Sequence, residues 1–379
     1  MNDLDPSNPR PVPFMPDPTA DNVRTPDKPR PFALWGPLDF AKHETPPGLD
    51  ILGEAILRRG NLALLMGQPG LGKSTMAFAL AVADLRRDSS FCGIPLHRLA
   101  GPARRWLFIG TENGVERWKR DVADASKAIP EDRREDFNAG LRVAALFLDD
   151  EGDITLPDRE GRIRETVRDA NPDVVVVDPW TELCLDEVKS EAVRACIASL
   201  RRAVRQAARD AAILLVIHAK AGRELVADGM GNFGATNIQR GNRLVTNSAR
   251  SALLVVPHDD DGPDRVVALA KCNDGPPLDP RRVSWDREAF RYRVVDGFDL
   301  DAWRDGLREK PKANRKVTPE DVAAVVADGV RDTKGIVDRL AGKAGKRSVM
   351  EALAEALRSG LLEKTGRGLY NLGPNYRRP

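Results

Sequence analysis

The octapeptide Gly67–Ser74, GQPGLGKS, stands directly after the apolar run Leu62–Met66 and directly before the helical run TMAFALAVA. No other feature constrains the chain as much. A strand that feeds a glycine loop opening a helix aims several backbone amides at one point, with the positive end of the helix dipole behind them. Gly67, Gln68, Pro69, Gly70, Leu71, Gly72, Lys73, Ser74 and Thr75 are therefore the expected phosphate cradle. Lys73 would neutralise the β and γ phosphates of ATP, and Ser74 would ligate Mg2+. The competing reading is a plain glycine turn between strand and helix.

Short apolar runs alternate with longer amphipathic segments beyond this loop, which is the pattern of an α/β fold with a predominantly parallel sheet covered by helices. Strands are expected at 62–66, 105–109, 141–146, 173–178 and 212–218, and helices at 73–85, 115–127, 161–170 and 191–209. Further apolar runs at 252–256 and 265–270, around Val283 and at 292–295 extend the sheet through short turns. The core ends near Asp299.

Three strand ends add chemistry. DVVVVD is a buried parallel strand closing on Asp178, which would hold the metal directly or through water. In WLFIGTEN, Glu112 follows a strand expected to neighbour the loop strand, and would activate the attacking water; a carboxylate near a helix N-terminus is the alternative. His218 closes AAILLVIH at the same edge, where an imidazole can donate to the γ-phosphate, although a lone strand-end histidine is often structural.

The first 33 residues are dominated by Pro and Asp and read as a disordered arm, with order expected from Leu34 and with Trp35, Leu38 and Phe40 against the core edge. The ATPase domain is expected over 34–299, a linker over 300–316 and a small domain over 317–379. The last has three helical patterns, 319–327, 334–340 and 346–359, then two β-prone runs around a glycine turn, which together read as a winged helix. Lys346, Arg347 and Arg358 would serve its recognition helix and Arg367 its wing, making duplex DNA a candidate partner. From Lys310 onward fifteen Lys and Arg face eight Asp and Glu, a net +7, while the whole chain carries +2. Cys92, Cys184, Cys196 and Cys272 are scattered singly, without zinc spacing, and read as reduced thiols. No run reaches the roughly 20 apolar residues of a membrane span, and the N-terminus lacks a signal-peptide pattern, so a cytoplasmic protein without a membrane partner is expected.

The order GQPGLGKST, FIGTEN, VVVVDPW, VIHAK resembles the RecA-like P-loop ATPases of the RepA hexameric replicative helicase type, an AAA family ATPase group of plasmids and phages. The resemblance covers roughly residues 48–295. It implies that Glu112 activates water, that Asp178 binds metal and that His218 couples the γ-phosphate to DNA. It also implies that Arg240, or Lys271 in LAKCNDGPP, reaches the γ-phosphate of the next subunit as a finger. Lys220 and Arg223, in the glycine-rich stretch after His218, would meet single-stranded DNA inside the ring. The expected function is an ATP-hydrolysing, DNA-associated motor, a homohexameric helicase or replication ATPase of a mobile element. The alternative is an ATP-switched DNA-binding regulator that does not unwind.

Overall fold

The computed structural model describes residues 36–44, 46–98, 101–110, 113–144, 159–184, 186, 188–219, 243–259, 262–309, 317–341, 343, 346–366 and 368–376. The expected arm over 1–33 lies outside them. The chain divides into two units, Met1–Pro46 and Pro47–Pro379. In the first, helix α1 (Pro37–Lys42) is anchored by Asp39, whose Oδ2 accepts the Gly36 amide at 2.7 Å. Leu38 is 72% exposed.

The second unit opens with an antiparallel pair, β1 (Asp50–Leu52) and β2 (Leu57–Arg58). β3 (Leu62–Gly67) then leads through the glycine loop into α2 (Lys73–Leu85), and β4 (Ser90–Phe91) pairs with β5 (Ile94–Pro95). There follow β6 (Trp106–Gly110), α3 (Val115–Ala128), α4 (Arg134–Gly140) and β7 (Leu141–Ala144). Next come α5 (Arg159–Ala170), β8 (Val174–Asp178), α6 (Trp180–Leu183), α7 (Ser190–Ala207) and β9 (Ala212–His218). After α8 (Leu244–Ser248) the chain forms β10 (Ser251–Pro257), β11 (Arg265–Cys272), β12 (Arg281–Asp286) and β13 (Arg291–Val294).

These strands build one sheet in the order β13-β12-β11-β10-β3-β9-β8-β6-β7. The pairings from β7 across to β10 are parallel, and those from β10 out to β13 are antiparallel. The sheet is thus mixed and largely parallel, as an α/β P-loop fold requires. One expectation is corrected here: β6 does not neighbour the loop strand, because β8 and β9 stand between them. The flanks of β3 go to β9 and β10, the two seven-residue apolar strands. Long apolar runs bury the most surface at the centre of a sheet covered on both faces.

The alternation of side chains across the pleat divides the core into two layers. Ala63, Leu65, Phe108, Val176, Leu214 and Val255 face one layer, with α2. Leu64, Met66, Ile109, Val177, Leu215 and Leu254 face the other, with α5 and α7. Each such side chain taken fully out of water contributes about 1.5–3 kcal/mol. On the first face Phe78 of α2 meets Phe108, Trp118 and Phe290 edge-on at 5.8, 5.5 and 5.4 Å, which holds α2 and α3 against the sheet.

Residues 300–309 of the expected linker are instead helical, as α9 (Leu300–Glu309). Asp299 Oδ1 accepts the Ala302 amide at 2.9 Å, and Trp303 packs on the second layer while its indole donates to the His258 carbonyl at 2.7 Å. Beyond it lie α10 (Pro319–Ala327), α11 (Thr333–Leu340), α12 (Lys346–Arg358) and a hairpin of β14 (Leu362–Gly366) with β15 (Leu369–Leu372). This segment buries its own cluster, including Val322, Ile336, Val349, Leu353 and Tyr370. Thr318 and Asp321 form a reciprocal capping box at the start of α10, and Asp332 caps α11.

Among the described residues no helix is long and apolar enough to cross a membrane, and none of the four cysteines is in a disulfide.

Candidate active site

The loop between β3 and α2 adopts the cradle that its residues call for. Gly70 and Gly72 both have φ of 79°, in the left-handed region that favours glycine, and Gly72 is the N-cap of α2. Gly67 is required for another reason: a Cβ there would lie 2.8 Å from the Val255 carbonyl oxygen on the adjoining strand. The first amides of α2 have no partner within the helix, so the loop and the helix start together offer donors to an anion.

Lys73 is 6% exposed, and its Nζ donates to the Gln68 carbonyl at 2.9 Å. Nζ also stands 3.3 Å from His218 Nδ1. An ammonium can only donate, so Nδ1 is the acceptor and the imidazole proton sits on Nε2. The pairing follows from register, because Gly67 lies opposite His218 and the Ala219 amide donates to the Gly67 carbonyl at 2.9 Å.

Asp178, 5% exposed, ends β8 opposite Gly110 of β6. Gly67, His218, Asp178 and Gly110 therefore end four adjacent strands that run the same way, at one edge of the sheet. This is where an open parallel sheet binds ligands. Glu112, two residues past Gly110, lies outside the described residues; its neighbour Asn113 is 6% exposed. Arg240, Lys220, Arg223 and Arg367 also lie outside them.

Lys271 is placed elsewhere. It pairs with Ala252 at the start of β10, the opposite edge from Gly67. Its Nζ donates to the carbonyls of Thr246 at 2.9 Å, Asn247 at 3.4 Å and Ala249 at 2.7 Å, closing the end of α8. Burial, with the Arg250 cation nearby, lowers the Lys271 ammonium below its usual pKa.

Two residues that the sequence reading passed over touch the loop. Arg265, at the start of β11, donates from Nε to the Leu71 carbonyl at 3.3 Å, while its Nη1 holds the Gly262 and Asp264 carbonyls at 3.0 Å. The Tyr292 hydroxyl lies where a Cβ on Gly72 would come within 3.4 Å. Burial raises the Tyr292 phenol above its usual pKa, so a neutral group adjoins a loop built for anions. The register of the β10–β11 hairpin, with Pro257 opposite Arg265, was the signal that would have found Arg265.

These residues fit a magnesium nucleotide. A buried ammonium and a row of helix-start amides converge on one loop, and a buried carboxylate ends a strand at the same edge. Ser74 and Asp178 would hold the metal, which supplies charge neutralisation on the phosphates.

Residues 28–224 match a family profile described as "AAA domain", just over half of the chain. No curated protein matches. A KaiC-like protein from the hyperthermophilic archaeon Pyrococcus horikoshii OT3 superposes with a TM-score of 0.44 at 14% identity, over 66% of this chain and 96% of that one. The family match runs through the glycine loop and all four strands that end at the site, so the chain belongs to the AAA domain family and is a P-loop ATPase.

Proposed function

We propose that this ATPase is a DNA-associated motor, a hexameric helicase or replication ATPase of the RecA-like, RepA type from a mobile element. The observation that carries the reading is the contact between Lys73 and His218 at the end of β9. A histidine touching the phosphate-binding lysine changes its surroundings when a triphosphate arrives and again when the γ-phosphate leaves. It can therefore pass the nucleotide state to the segment that follows β9, where Lys220 and Arg223 would meet single-stranded DNA.

In this reading Lys73 neutralises the β and γ phosphates, and Ser74 and Asp178 hold Mg2+. Glu112 orients the attacking water, and His218 donates from Nε2 to the γ-phosphate. Arg240 or Lys271 of the neighbouring subunit completes the site, and Lys271 would have to exchange three carbonyls of its own chain for phosphate oxygens. Residues 317–379 act as a winged helix on duplex DNA, supported by the three helices, the hairpin and the basic balance of this segment.

The test is a forked duplex with one labelled strand, incubated with the assembled protein and ATP, beside light scattering for subunit number. Strand release that depends on ATP, by a six-subunit species, supports the motor. Duplex binding that changes with nucleotide, without strand release, replaces it with an ATP-switched regulator.

A further inference from the structure

At the sheet edge opposite the glycine loop, where β6 and β8 begin, there is a cleft of about 390 Å³ lined by five arginines and three aspartates. The carboxylates are already committed. Asp84 takes Arg104 at 2.5 Å, Asp173 takes Arg59 at 2.9 Å and Asp136 takes Arg87 at 3.0 Å. Asp84 also accepts the Trp106 indole at 2.9 Å, and Asp173 accepts the Arg105 backbone amide at 2.9 Å.

What remains is positive. The side chains of Arg98 and Arg105, both exposed, make no hydrogen bond or ion pair among the described residues. Arg104 is 8% exposed, and although its two terminal nitrogens are engaged by Asp84 and the His97 carbonyl, its Nε has no partner among the described residues. A buried guanidinium N–H without an acceptor is costly, and such a group calls for an explanation such as an ordered water or a bound ion. Five guanidinium groups against three carboxylates leave the cleft at +2.

We propose that this cleft is an oxyanion site, separate from the nucleotide loop, that takes a phosphate group, either free or as an ester. The planar fork of arginine matches phosphate oxygens two at a time, and two guanidinium groups without carboxylates balance one dianion. The cleft is of a size that holds small ligands. The ion pairs around it fix Arg59, Arg87 and Arg104 and leave Arg98 and Arg105 uncompensated, so one wall of the cleft is already set before an anion arrives. The assignment does not depend on the motor reading, since it uses none of the residues at the loop.

The experiment is isothermal titration of inorganic pyrophosphate, without Mg2+, into the full chain carrying Lys73→Ala, so that the glycine loop no longer competes. Binding should persist, and adding Arg98→Ala with Arg105→Ala should weaken it about tenfold or more, the loss expected for two charge-assisted contacts. A matched removal of two charges from α3, Lys119→Ala with Lys127→Ala, should change the affinity less than about twofold, well short of a lost charge-assisted contact. No binding to the Lys73→Ala protein, or an equal loss from the α3 pair, overturns the site. Repeating the titration with a short thymidine oligonucleotide separates a free phosphate from a nucleic-acid backbone as the source of the anion.

Discussion

The two halves of the central sheet do different work. In the parallel half, β3, β9, β8 and β6 are connected by crossovers, so their ends collect at one edge and carry Gly67, His218, Asp178 and Gly110 there. In the antiparallel half, β10 to β13 are joined by short connections, and burial along β11 nearly alternates. That half carries no motif, yet Arg265 and Tyr292 from it bear on the loop at Leu71 and Gly72. The difference separates groups proposed to act on phosphate from groups that touch the loop from outside it. The shape of the loop is held from two sides, by α2 and by strands from a later part of the chain.

Substitutions on the two sides should therefore differ in size and in kind. Lys73→Ala removes the cation inside the loop and should lower steady-state ATP hydrolysis about a hundredfold or more, with circular dichroism unchanged. If hydrolysis falls less than tenfold, the parallel half does not hold the phosphates as described. Arg265→Ala leaves every phosphate-binding group in place and loosens one carbonyl of the loop. It should raise KM for ATP about tenfold while kcat moves little, with Arg265→Lys recovering part of the loss. A collapse of kcat with KM unchanged would move Arg265 from support to chemistry and erase the distinction. Tyr292→Phe is the smallest change. The hydroxyl makes no hydrogen bond among the described residues, so both constants should stay within about twofold.

The same division explains what could be read before the fold was known. The placement of the loop, Asp178 and His218 at strand ends was legible because each closes or follows an apolar run, and the run itself announces a buried strand. The order of strands was not, because pairing joins residues far apart in the chain: β3 takes β9 and β10 as neighbours across some 150 to 190 residues of sequence. Arg265 looked like an ordinary strand-start arginine until the hairpin register placed it at the loop edge. Helix α9 was passed over as linker because it runs into the basic, Pro-containing stretch LREKPKANRK and half of LDAWRDGLRE is charged. Its Leu300, Trp303 and Leu307 nevertheless recur at helical spacing, and Trp303 is the residue that packs. Lys271 took its expected role from the family resemblance, and its hold on the carbonyls at the end of α8 could be seen only in the fold.

The central claim is that hydrolysis at this edge drives work on DNA, and its most direct test is the steady-state ATPase rate of the full chain with and without single-stranded DNA, using Glu112→Gln as the hydrolysis control. The account predicts a rate that rises with single-stranded DNA and is lost in Glu112→Gln, about a hundredfold or more below the unaltered protein. A slow rate indifferent to single strands would contradict the motor, and an unaltered rate in Glu112→Gln would remove that carboxylate from the chemistry.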